Sequence, residues 1–144
     1  MSAPAPSLRR ELVVETAFNR SLPLPYSLRI DDFRIAIQDV YDFFYDVNRL
    51  LDEKGLKRLD DMLRPAAMSG IISDMLTASI AKHSRVLTEN NHHNGHPDLV
   101  VQGRYAGNAV RAGEDGVEIK STRKTRWGGR YARRARPMDV RLRL

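Results

Sequence analysis

Cysteine is missing from all 144 residues, so the chain offers no disulfide framework, no thiolate metal site and no cysteine nucleophile. Any catalysis must run on carboxylates, histidine, lysine or hydroxyls. Long hydrophobic runs are missing too: no stretch approaches the roughly 20 consecutive apolar residues that a membrane helix needs. Residues Met1 to Arg10 include proline and serine but lack the apolar middle of a secretory leader. Together these absences point to a cytoplasmic location with no membrane partner, and nothing marks a small-molecule cofactor. The length suits one domain with a real core plus appendages.

Charge is abundant but uneven. The formal net charge is +6 with a pI near 10.0, a balance that suggests a polyanionic partner. Between Arg123 and Leu144, however, nine basic residues face the single acid Asp139, which leaves 15 basic and 17 acidic residues in the first 122. The basicity therefore belongs to the tail. It does not argue that the folded part binds nucleic acid.

The pattern along the chain predicts an α/β, more strictly α+β, fold. Ser7 to Arg20 fits a short helix or a strand around Leu12-Val13-Val14 equally well. From Phe33 the apolar residues Ile37, Val40, Tyr41, Phe44, Val47 and Leu51 follow at three- and four-residue steps, an amphipathic helix with Asp31 or Asp32 as its expected N-cap. Gly55 ends it, Leu56, Leu59 and Leu63 form a brief second helical pattern, and Pro65 opens a third helix with Met68, Ile71, Ile72, Met75, Leu76 and Ile80 as its buried stripe. The aromatic residues Tyr41, Phe43, Phe44 and Tyr45 read as core or dimer contact, or as a base-stacking surface. Short β-type runs follow at Arg85–Thr88, Asp98–Gln102 and Gly116–Ser121, separated by Asn- and Gly-rich turns. Three regions are expected: a helical segment 1–64 packing on the core and covering the back of the sheet, a core 65–124, and an irregular basic tail 125–144.

Chemistry concentrates on the last two runs. Hydrolysing a phosphodiester calls for hard divalent cations on oxygen ligands, an activated water and a positive group nearby. Asp98 opens one predicted strand. Period-two alternation puts Glu118 and Lys120 on one face of the next, opposite Val117 and Ile119, so pairing the strands gathers all three side chains at one edge. The bland alternative is a surface ion pair between Glu118 and Lys120 with Pro97 as a strand-start proline.

Pro97-Asp98, a connection of moderate length and Glu118-Ile119-Lys120 resemble the bipartite motif of the PD-(D/E)XK nuclease superfamily, with its type II restriction endonuclease-like core. The resemblance covers about Ala66 to Lys124, and includes the order of helix, strand, turn, PD strand and ExK strand. It implies a mixed sheet and a DNA endonuclease that uses Mg²⁺. Asp98, Glu118 and the Ile119 backbone carbonyl would ligate the metal, and Lys120 would orient the attacking water. It further implies Asp74 as an acid from the preceding helix, Ser121, Arg123 and Lys124 near DNA, and a homodimer that cuts two strands. The core of this superfamily normally continues beyond the third strand, so the chain is expected to be cut short there, with the tail either a basic arm on DNA or an out-of-frame reading of a GC-rich gene.

Rival readings use the same residues. His92, His93 and His96 with Asp98 offer zinc-type ligands without a fixing spacing, and His96-Pro97-Asp98 matches the tripeptide of J-domain co-chaperones, a helical module that the strand run Leu99-Val100-Val101 opposes. An inactive nuclease remnant that binds DNA or a partner subunit, and a small basic nucleic-acid-binding protein acting through its tail, complete the set.

Overall fold

A computed structural model describes residues 8–122 and, for the backbone, residues 139–143. Three helices and short antiparallel strands make a mixed α+β arrangement. The N-terminal stretch is neither of the elements considered for it: it runs irregularly over the surface with one 3₁₀ turn at Glu15–Ala17.

Helix α1 spans Ile30–Glu53 and buries Phe33 and Val40 of the predicted stripe, together with Ala36, which that stripe did not include. Its N-cap is Arg29, not either aspartate. Asp32 sits three residues in and reaches back, its carboxylate accepting the Arg29 backbone N–H at 2.9 Å and the Arg29 guanidinium at 2.8 Å, the back-bonding half of a capping box. Helix α2, Leu59–Met62, hangs on α1 through buried Asn48, whose side-chain oxygen accepts the Leu59 N–H at 2.7 Å and whose amide donates to Asp60 at 3.3 Å. Helix α3, Pro65–His83, begins on proline, which has no N–H to leave unsatisfied. Met68, Ile72, Leu76 and Ile80 lie at four-residue steps on its buried side. Tyr41, Phe43, Phe44 and Tyr45 of α1 are half-buried, with Phe43 and Phe44 edge to face at 5.5 Å.

Strands β1 (Leu87–Glu89) and β2 (Leu99–Val101) pair antiparallel, Leu87 opposite Val101. Strand β3, Glu118–Thr122, joins them through an antiparallel bridge between Leu99 and Val117. Among the described residues all strand pairings are thus antiparallel, and the parallel contact is a lone bridge between His96 and Ala112, so the expected mixed sheet is not seen there. Asp139–Arg143, inside the segment read as an irregular tail, form strand β4 antiparallel to β3, with Glu118 opposite Arg143. Residues 123–138 and 144, and with them most of that tail, lie outside the described residues.

One hydrophobic cluster crosses the expected boundary at residue 64, running from Leu28, Phe33, Ala36 and Val40 to Leu87, Leu99, Val117 and Ile119. The layer on the strands is α3, which packs against β1 and β3, while α1 packs on α3. The sheet is therefore covered by a helix of the core segment and not by the N-terminal one. No helix among the described residues is long and apolar enough to cross a membrane.

Candidate active site

The edge between β2 and β3 is where the backbone ladder gives way to side chains. Leu99 and Val117 exchange both backbone hydrogen bonds, at 3.0 and 2.9 Å. Continuing that register sets Asp98 opposite Glu118 and Pro97 opposite Ile119. Pro97 has no N–H and its carbonyl is taken by the Asn90 side chain at 3.0 Å. The Ile119 N–H accordingly donates to Asp98 Oδ2 at 2.7 Å. In an extended strand the N–H and C=O of one residue lie on the same edge. The Ile119 carbonyl thus faces the Asp98 side, opposite a residue with no donor to give it.

Glu118 and Lys120 alternate onto the other face from Val117 and Ile119, as period two requires. Lys120 Nζ donates to Glu118 Oε1 at 2.5 Å, and His96 Nδ1 stands 3.4 Å from Oε2. Glu118 is 19% exposed, whereas Lys120 and His96 are 64% and 66% exposed, so a solvated lysine and a solvated histidine clamp a shielded carboxylate. Burial pushes the Glu118 carboxyl up, but the hydrogen bonds from Lys120 and His96 and the attraction of their charges outweigh it and hold it below its ordinary 4.5.

A depression of about 360 Å³ opens along this edge. Its sheet side is His96, Asp98 and Glu118 to Ser121, and its helix side is Ser69, Gly70, Ser73, Asp74 and Thr77 of α3. The fold thus brings Asp98, Glu118, Ile119, Lys120 and the helix-borne acid Asp74 to one concavity. Ser121 also lines it, but its hydroxyl turns inward, donating to the Ser69 carbonyl at 3.0 Å and lying 2.9 Å from Ser73 Oγ. Arg123 and Lys124 lie outside the described residues.

Sequence reasoning missed the hydroxyls of α3 and the seat of His96 on Glu118. Serine or threonine at 69, 73 and 77, four residues apart beside an apolar stripe, was the available signal for the first. For the second there was none, because only the fold brings residue 96 beside residue 118. The three histidines do not converge: His92 and His93 are exposed on the turn, with His92 Nδ1 against the His93 carbonyl at 2.8 Å. His96-Pro97-Asp98 leads straight into β2 and not into a helix.

The donor set suits a hard cation, since Asp98, Glu118 and the Ile119 carbonyl present oxygen only. Among the described residues no three His, Asp or Glu side chains are grouped so as to hold a metal. Two carboxylates and a carbonyl, the shell completed by water, is the mode Mg²⁺ favours.

A second polar cluster joins α1 to α3. Ser79 Oγ donates to Asp39 Oδ2 at 2.5 Å, and His83 Nε2 lies 2.7 Å from the same oxygen. The serine is bonded to the carboxylate and not to the imidazole, so this is an interhelical latch and not an activated nucleophile, which needs the base on the hydroxyl. Burial raises the Asp39 carboxyl, but hydrogen bonds from Ser79 and His83 and the nearby charges of His83 and Lys82 bring it below its ordinary 3.8.

Compared with known proteins, the chain matches no family model, no curated protein and no solved structure.

Proposed function

We propose that the protein is a Mg²⁺-dependent DNA endonuclease with a PD-(D/E)XK-type site, acting in the cytoplasm as a homodimer. The observation that carries this reading is the convergence of Asp98, just before β2, with Glu118 and Lys120 of β3, which begins 20 residues later, on one concavity that also holds Asp74. Asp98, Glu118 and the Ile119 carbonyl would hold the cation. Bound there, it would supply charge neutralisation at the phosphate and a more acidic water.

The chain's own groups do the rest. Asp98 both fixes the height of Ile119 through its N–H and keeps an oxygen for the site. Lys120, on a flexible stem and largely exposed, can leave Glu118 for the scissile phosphate and meet the negative charge that grows there. A water oxygen bonds to phosphorus and gives up a proton to solvent, one ester bond breaks, and the departing oxygen takes a proton from solvent.

Incubating supercoiled plasmid with Mg²⁺ tests the reading. Wild type should nick it and EDTA should stop it. Asp98→Asn and Lys120→Met should each lower the rate by about 100-fold or more. A rate equal in all three proteins sinks the assignment and leaves a non-catalytic DNA- or partner-binding protein, a reading that draws on Glu118 having both oxygens already engaged.

A further inference from the structure

The core-facing side of β3 and of the residue just before it reads Val117, Ile119, Ser121. The first two are buried apolar residues, and an apolar third would continue the stripe against α3. A serine stands there instead, and it meets another serine. Ser121 has one hydroxyl proton, and it is committed to the Ser69 carbonyl at 3.0 Å. The 2.9 Å contact between Ser73 Oγ and Ser121 Oγ must therefore have Ser73 as donor. The result is a directed chain, Ser73 to Ser121 to the Ser69 carbonyl, that ties one turn of α3 to the end of β3.

We propose that Ser73 and Ser121 are a positioning pair for the active site. The inference rests on the proposed function for its catalytic consequence but not for its geometry. Strand β3 is held at two points, by Asp98 on the Ile119 N–H and by the hydroxyl clip on Ser121, and Lys120 lies between them. Asp74 is the residue next to Ser73, so the clip also sets where the helix-borne acid stands relative to Glu118. Apolar packing fixes such a distance loosely, since side chains slide at little cost. Hydrogen bonds of 2.9 and 3.0 Å fix it to a fraction of an ångström, the tolerance that a catalytic constellation needs. Neither serine touches substrate in this scheme. They act through the strand.

Threonine and valine at position 121 have the same shape and differ in the hydroxyl alone, so Ser121→Thr and Ser121→Val separate hydrogen bonding from packing. The first readout is amide hydrogen exchange in the full chain. Ser121→Val should raise exchange at the Ile119 N–H about tenfold relative to Ser121→Thr, Ser73→Ala, which removes one of the two bonds, should raise it about threefold over wild type, and the Leu76 and Ile80 amides should stay as they are. The second is plasmid nicking at saturating Mg²⁺, where kcat should fall about tenfold in Ser121→Val with KM little changed and return in Ser121→Thr. If Ile119 exchanges equally in the Thr and Val variants, the clip does not position the strand and the inference is overturned. Loss of Ile119 protection in Ser121→Val, in a protein whose wild type never nicks DNA, upholds the positioning and removes the nuclease chemistry instead.

Discussion

Gly116 shows at single-residue scale how the site edge is assembled. It precedes Val117, the residue that exchanges backbone hydrogen bonds with Leu99, and its φ is +149°, which side chains rarely tolerate. Its own N–H donates to the Tyr26 hydroxyl at 3.0 Å. A Cβ placed there would run into the Leu99 carbonyl and the Pro97 ring, the two residues that deliver Asp98. Gly116→Ala should therefore cost about 2 kcal/mol or more, a melting point lower by roughly 5–10 °C, and should also disturb the Asp98 contact to Ile119. Gly103→Ala is the comparison: φ there is +79° but a Cβ would meet nothing within 4 Å. It should suffer backbone strain alone and lose less. Equal melting points for the two variants would show that the approach of Leu99 and Pro97 to Gly116 does not matter.

Between elements, α1 and α3 are joined by apolar contacts and by the Asp39 latch, and the latch responds to pH. Asp39 has a folded-state pKa below its ordinary 3.8, so its ionised form stabilises the fold above that ordinary value. This contribution is lost as pH falls through the lower, folded-state value. Asp39→Asn should thus lower the melting temperature at about pH 5, where the Asp39 carboxylate is ionised, and the gap to wild type should close progressively below about pH 4. A gap that persists unchanged to pH 2 would remove the latch from the stability of the interface. The latch also marks what sequence can show. Phe33, Val40, Ile72 and Ile80 are legible because three- and four-residue spacing is a local property of a helix, and Glu118 and Lys120 because period two is a local property of a strand. Asp39 with His83, His96 with Glu118 and Ser73 with Ser121 are 44, 22 and 48 residues apart, and no local periodicity couples them. Even β4 had a local sign, since Val140 and Leu142 alternate with Asp139, Arg141 and Arg143. The surrounding arginines hid it.

Over the whole molecule, the backbone of residues 139–143 ties the basic tail to strand β3. Strand β3 offers one edge to Leu99 and Asp98 and the other to β4, so removing the tail opens an edge beside Glu118 and Lys120. It also changes the electrostatics. Residues 125–144 hold seven of the 24 basic residues and one of the 18 acidic, and the first 124 residues are balanced at 17 of each. Two effects of ending the chain at residue 124 can be measured separately. DNA affinity should weaken, and the slope of log K against log salt should become shallower by up to about six, because each lost phosphate contact removes roughly 0.9. The protein should also unfold at lower temperature and self-associate as its concentration rises, since an unpaired strand edge is a template for another chain. Replacing Arg126, Arg130, Arg133, Arg134 and Arg136 by glutamine in the full-length chain leaves Asp139–Arg143 intact. With five of the seven cations gone, it should make the salt slope shallower by up to about 4.5, without the self-association. If these substitutions lower the melting temperature as far as the deletion does, the stabilising contribution comes from those arginines and not from the pairing of β4 with β3.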